Sequence, residues 1–223
     1  MIAGVDGCRK KWIAVVDVGS RRTEIWAPRT FIELYQDPRL NLIVIDIPIG
    51  LRDKGDRDAD RKAREFLGER RSCVFPAPIR PILNCDKWED ACLKSTEIEG
   101  KKISKQQFGI LPKIHEVDTA LRGHSGPQVY EGHPEVSFAK MNNDSPLPIG
   151  KKEKEGKLRR SRLICKHFRD AAARLDKYPY HREDVLDAYA MLWTARRIVA
   201  GTVNWFPEQD VRDRFGLSMR IAA

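Results

Sequence analysis

Met1-Ile2-Ala3-Gly4-Val5-Asp6-Gly7-Cys8-Arg9-Lys10-Lys11-Trp12-Ile13-Ala14-Val15-Val16-Asp17-Val18 opens the chain with two apolar runs, Met1–Asp6 and Trp12–Val18, around a Gly7–Lys11 turn. Runs rich in Ile, Val and Ala on either side of a glycine bend predict a β-hairpin. Arg21-Arg22 predicts a second turn, and Thr23–Ala27 a third strand. A short helix is expected at Phe31–Tyr35. The run Leu42-Ile43-Val44-Ile45-Asp46-Ile47-Pro48 is almost wholly apolar, as a strand buried on both faces should be. A helix is expected over Asp58–Leu67, with Ala59, Ala63, Phe66 and Leu67 on one face and Gly68 as its stop.

Helical patterns recur near Trp88–Leu93 and Lys113–Leu121, a strand at Gln128–Glu131, a Pro- and Asn-rich loop at Asn142–Ile149, and helices at Lys157–Leu175 and Asp184–Ala200. Strands followed by strands alternating with helices imply an α/β domain. The expected organisation is one domain over residues 1–201, a mostly helical insertion at about 71–126, and a C-terminal tail over 202–223. A chain of 223 residues with 41% hydrophobic content can build a core and is not disordered. No run approaches the roughly 20 apolar residues of a membrane span, so no membrane partner is expected. Five cysteines without a C-x-x-C pair favour reduced thiols and a cytoplasmic setting.

Four aspartates stand where chemistry would choose them. Asp6 ends the first strand beside a glycine turn, and Asp46 interrupts an apolar strand, a costly place for an unpaired carboxylate. Asp184 and Asp187 are three apart on the last helix and share a face. Glu131 ends another strand, and His133 follows it. Carboxylates gathered from two strand ends and a helix suit Mg²⁺ or Mn²⁺ and the chemistry of phosphodiesters. Each also has a structural reading: Asp6 as a turn residue, Asp184 as a helix-dipole partner, Asp46 and Asp187 as partners of arginines.

The net charge is +9, and it is concentrated: Lys151–Arg169 holds nine basic residues and two acids, a surplus of +7. In a helix over 157–175, Leu158, Ser161, Cys165, Phe168, Ala172 and Leu175 would face inward. Lys157, Arg159, Arg162, Lys166 and Arg169 would present a basic stripe to a phosphate backbone.

Six blocks occur in order: Gly4-Val5-Asp6-Gly7-Cys8-Arg9 with Trp12; Asp46-Ile47-Pro48-Ile49-Gly50-Leu51; Ala59-Asp60-Arg61-Lys62-Ala63-Arg64; Arg70-Arg71-Ser72-Cys73-Val74-Phe75-Pro76-Ala77-Pro78; Tyr130-Glu131-Gly132-His133-Pro134-Glu135-Val136-Ser137-Phe138; and Glu183-Asp184-Val185-Leu186-Asp187-Ala188-Tyr189-Ala190. Together they resemble the family called domain of unknown function 429, over about residues 1–201. Lys10-Lys11 and Cys73 depart from its pattern without touching an acid. That family is described as predicted nucleases of the ribonuclease H-like superfamily. The resemblance implies a mixed five-stranded sheet whose first three strands are antiparallel, flanked by helices. It also implies catalytic, metal-binding acids at Asp6, Asp46, Asp184 and Asp187.

Other chemistries have less support. His133-Pro134-Glu135 lacks the P-C-x-x-C element of a zinc deaminase, and there is no Walker A loop. Cys8 has no defined base in the sequence. Salt bridges along a helix account for Arg61, Arg64, Arg70 and Arg71 more simply than phosphate binding does, and Phe75 is the better stacking candidate among the aromatics. The leading expectation is a two-metal nuclease using Asp6, Asp46, Asp184 and Asp187, with Glu131 and His133 lining the same cleft. The alternatives are an ATPase or kinase-like member of the superfamily, and a non-catalytic nucleic-acid-binding protein.

Overall fold

The computed structural model describes residues 1–9, 11–123 and 125–223, so the departure at Lys10 lies outside the described residues. In chain order the elements are β1 (Ile2–Cys8), β2 (Lys11–Asp17), β3 (Thr23–Trp26), α1 (Phe31–Tyr35), β4 (Leu42–Ile45), α2 (Asp58–Leu67), α3 (Trp88–Glu99) and α4 (Lys105–Gly123). Then follow β5 (Gln128–Gly132), α5 (Pro134–Met141), α6 (Lys154–His167), α7 (Ala171–Lys177), α8 (Arg182–Val199), β6 (Trp205–Phe206) and β7 (Ile221–Ala222). The α/β expectation holds: a mixed sheet is flanked by helices.

The sheet has seven strands in the order β3-β2-β1-β4-β5-β7-β6, two more than expected. β1, β2 and β3 are antiparallel neighbours, and β1, β4, β5 and β7 run parallel. The extra pair comes from the segment read as a tail. Ile221 and Ala222 bury themselves against β5, and Trp205–Phe206 pairs antiparallel with them. A two-residue strand carries too little periodicity to be seen in a sequence.

Side-chain alternation sorts the core into two layers. Val5, Trp12, Ala14, Ile43 and Ile45 point to the side of α1, α3 and α4. Ile13, Val15, Leu42 and Val44 point to the side of α6, α7 and α8. Helix α8 is buried continuously from Val185 to Ala195, as a helix at the centre of a layer must be. It lies directly on β1. A Cβ on Gly4 would fall 1.9 Å from the Leu192 nitrogen and 2.2 Å from the Ala188 oxygen. At Gly132 a Cβ would meet Met191 Sδ and Val44 Cγ1, each at 2.6 Å. These two glycines let the helix sink onto the strands.

The expected 157–175 helix is two helices. Phe168 takes extended dihedrals after α6, and Asp170 is drawn to β3, where its Oδ2 accepts from the Thr23 N–H (2.7 Å) and hydroxyl (3.0 Å). The buried face is also shifted from the expected one. Gly156, Arg160, Ser161, Leu163 and Ile164 face inward, while Leu158 and Cys165 are exposed. No helix among the described residues is long and apolar enough to cross a membrane.

Candidate functional site

The period-two alternation that builds the core also sets the site. Asp6 falls in the series Gly4, Asp6, Cys8 and Asp46 in the series Leu42, Val44, Asp46, so both side chains point to the α8 side. The strands pair in parallel with Val5 opposite Ile45, and the Asp46 N–H donates to the Val5 carbonyl at 3.0 Å. The two aspartates therefore stand side by side at the C-terminal ends of adjacent strands, the usual ligand end of a parallel sheet. Asp187 meets them from α8, within the helix that Gly4 admits. The Gly7 N–H donates to Asp6 Oδ1 at 2.7 Å.

Asp6 and Asp187 are buried and Asp46 half-buried, close enough together to resist ionisation. Burial, and after it the charges of Asp46 and Asp187, hold the Asp6 carboxyl well above the usual carboxylate range. Burial pushes Asp46 up to about 6, with Lys151 opposing. It pushes Asp187 up to about 6 as well, again against Lys151. Lys151 is the balancing cation. Its Nζ donates to Asp187 Oδ2 at 2.7 Å, and Asp187, Asp46 and Asp6 together hold its ammonium above the ordinary lysine range. The Lys151 side chain is 45% exposed, against 3% for Asp187.

A cavity of about 680 Å³ opens over Asp6 and Asp46. One wall is α4, through Gln107, Ile110 and Lys113, and another is the stretch Arg70–Phe75. Lys151 and Lys152 close a third side, and His133 with Glu135 the fourth. Two buried polar atoms of the lining have no partner, His133 Nδ1 and Arg70 Nε. Burial lowers the His133 pKa, so the imidazole is held neutral. Phe75 is half exposed at the cavity wall. Lys113 reaches across to β2, donating to the Lys11 carbonyl at 2.8 Å, with its ammonium 3.9 Å from the Trp12 ring centre.

Of the other expected site residues, Glu131 also borders the cavity but is already engaged, and Asp184 lies elsewhere. Glu131 alternates to the opposite face of the sheet from Asp6 and Asp46. Both its oxygens are taken by Arg57 at 2.8 Å, and Oε2 also accepts the Ile49 N–H at 2.7 Å. Arg57 grips Asp60 as well, so Glu131 belongs to a buried ionic knot that pins the loop after β4. Asp184 is turned away from the cavity toward Cys8 and His181. Its Oδ2 is 3.4 Å from His181 Nδ1, which is 3.2 Å from Cys8 Sγ. Burial first, and then the hydrogen bond to Asp184, push the Cys8 thiol up to about 12, which leaves it inert as a nucleophile. Among the described residues, this is the one His/Cys/Asp/Glu trio whose ligand atoms all lie within 4.8 Å of one another.

The basic stripe divides similarly. Lys157 pairs with Glu183 at 2.6 Å, and Arg159 with Glu155 at 3.0 Å. Arg162, Lys166 and Arg169 are exposed with no ion pair among the described residues, and Arg169 lies beyond the end of α6. None of these five lines the cavity. Sequence reasoning missed Lys151 as a site residue and Arg160 as an anchor. Arg160, buried inside the basic run, clamps Glu135 through Nη2 at 2.6 and 2.7 Å and donates to the Ile149 and Gly156 carbonyls. The available signal was position: Arg160 is one turn before Ile164, on the buried face.

A family model described as "Protein of unknown function (DUF429)" matches residues 4–212. No curated protein matches the chain, and no solved structure does.

Proposed function

The chain belongs to the DUF429 family, and from that premise we propose that it is a metal-dependent nuclease. One observation carries the reading. Three carboxylates from β1, the end of β4 and α8, two of them buried and Asp46 half-buried, gather beside one cavity that Asp6 and Asp46 line; burial raises the proton affinity of each, and a half-exposed lysine is their nearest counter-charge. Such crowding is unfavourable for a structural core and suits a site awaiting a multivalent cation. The strand order β3-β2-β1-β4-β5, with its antiparallel trio and its acids on the first strand, the fourth strand and a late helix, resembles a ribonuclease H-like nuclease and supports the reading.

The donor set fits Mg²⁺ or Mn²⁺, because Asp6, Asp46 and Asp187 offer only oxygen. When bound there, such ions would supply an activated water and stabilise charge on the leaving oxygen. The chain's own residues would do the rest. Lys151 would leave Asp187 and turn its ammonium to the substrate phosphate. Arg70 Nε, a buried donor without a partner, would hold a phosphate oxygen. His133, neutral and with Nδ1 unpaired, would accept or donate one hydrogen bond at the reacting group. Phe75 would stack on a base. Arg162, Lys166 and Arg169, free of ion pairs among the described residues, would meet the backbone outside the cavity.

The test is hydrolysis of single-stranded, duplex, hybrid and branched nucleic acids with Mg²⁺ or Mn²⁺, with Asp6→Asn as control. Metal-dependent cleavage lost in Asp6→Asn is expected; no cleavage and no divalent-ion binding by titration would sink the proposal. The Lys151–Asp187 pair favours a second reading, a non-catalytic nucleic-acid-binding protein whose acids are permanently neutralised. That reading requires salt-sensitive binding, unchanged in Asp6→Asn, without turnover.

A further inference from the structure

We propose that Cys8, His181 and Asp184 form a separate Zn²⁺ site, fastening the end of β1 to the first turn of α8. The three ligand atoms converge: Cys8 Sγ is 3.2 Å from His181 Nδ1, and Asp184 Oδ2 is 3.4 Å from the same nitrogen. That convergence decides between two kinds of chemistry. A nucleophile–base–orienter relay puts thiol and carboxylate on opposite nitrogens of the imidazole. Here both address Nδ1, so the ring bridges nothing, and the three atoms surround a common point.

The spacing is that of zinc. Tetrahedral bonds of about 2.3 Å to sulfur and about 2.0–2.2 Å to nitrogen and oxygen place neighbouring ligand atoms about 3.3–3.6 Å apart. The observed separations lie at that value or slightly inside it. Sulfur and imidazole with a carboxylate exclude Mg²⁺ and Ca²⁺ as preferred occupants, whereas Zn²⁺ accepts all three donors. Thiolate and carboxylate together balance a divalent charge, and the thiol proton passes to solvent on binding.

Access is provided for. A second cavity of about 360 Å³ is lined by His181, Asp184, Arg9 and Lys157. Cys8 is buried at the back, while His181 and Asp184 are about 30% exposed at the mouth. Two of the cations bordering the cavity have acidic partners, Lys157 with Glu183 and Arg182 with Asp176. A bound ion would take water as its fourth ligand, entering through this opening. The ligands come from β1 and from the 3₁₀ turn and first turn leading into α8, so an ion here would set the distance from Asp6, two residues before Cys8, to Asp187, one turn beyond Asp184. The zinc site does not depend on the nuclease reading.

The full chain, stripped with chelator and dialysed against Zn²⁺ alone, is expected to retain one equivalent. Cys8→Ser and His181→Ala should each weaken binding at least 100-fold, and Asp46→Asn should not. Co²⁺ substitution should give a thiolate-to-cobalt charge-transfer band and tetrahedral visible bands, both absent in Cys8→Ser. His181→Ala changes a partly exposed side chain, so it keeps the test valid should Cys8→Ser fold poorly. Zinc retained undiminished in both variants, zinc lost in Asp46→Asn, or a cobalt spectrum without the thiolate band would each overturn the site. The nuclease assay in Mg²⁺ or Mn²⁺ reads a different ion at different ligands, so either proposal can fail alone.

Discussion

Replacing Asp187 with asparagine should stabilise the metal-free protein while removing one of the proposed metal ligands. Asp187 is 2% exposed, and its carboxyl is pushed from an ordinary 3.8 up to about 6 even with Lys151 at 2.7 Å. Because the folded-state value lies above the unfolded one, its contribution is fully favourable below about pH 3.8 and is lost as pH rises through 6. A shift of about two units corresponds to roughly 3 kcal/mol at neutral pH. Asparagine keeps the shape without the charge. Lys151 is 45% exposed and can turn to water, so losing its partner costs little. The net gain at pH 7.5 without divalent ions is therefore about 1–3 kcal/mol, or roughly 2–12 °C in Tm for a chain of this size. It should shrink by roughly 2 kcal/mol on going to pH 4, where the wild-type carboxyl is protonated in the folded state. Urea unfolding at the two pH values, in chelator and then in Mn²⁺, measures this directly. A variant that is less stable than wild type at pH 7.5, or whose advantage does not change with pH, would refute the view that these acids are strained by crowding.

Gly4→Ala drives a methyl group into the Leu192 and Ala188 backbone, so it should cost about 3 kcal/mol or more, or leave no soluble protein. Gly132→Ala, which meets side chains of Met191 and Val44, should cost less by thermal melting. Arg160→Met leaves Glu135 without its partner beside the cavity and should cost about 3–5 kcal/mol, of which adding Glu135→Leu should restore most in urea titrations. Phe75→Ala should weaken single-stranded nucleic-acid binding by about 1–3 kcal/mol in fluorescence anisotropy without changing Tm, since the ring is half exposed.

How much of this was legible depended on the range of the interactions. The β1–β2 hairpin, β4 and α2 follow from local periodicity, and the structure places them within a residue or two of expectation. Asp6, Asp46 and Asp187 were legible because each breaks an apolar pattern or shares a helix face. The sequence could not separate Asp184 from them, since three residues along a helix is also far enough to address a different neighbour. Glu131 looked equivalent to Asp46 as a strand-end acid. Its parity differs, so it faces Arg57, and only the register of β5 against β4 reveals that. The basic run looked like one helix because nothing local shows Asp170 bound to Thr23, 147 residues away.

Lys151 gives the molecule a reversible counterion of its own. It lies in the loop ahead of α6, and its side chain is half exposed where it meets Asp187. A protein that carries its surrogate cation need not find metal in order to fold, and on the proposed reading it should survive chelation folded. Loading of the proposed metal would then be an exchange of one cation for another. The loop that gives up its lysine leads directly into α6, so the outer face of that helix would register whether the cleft is charged with metal.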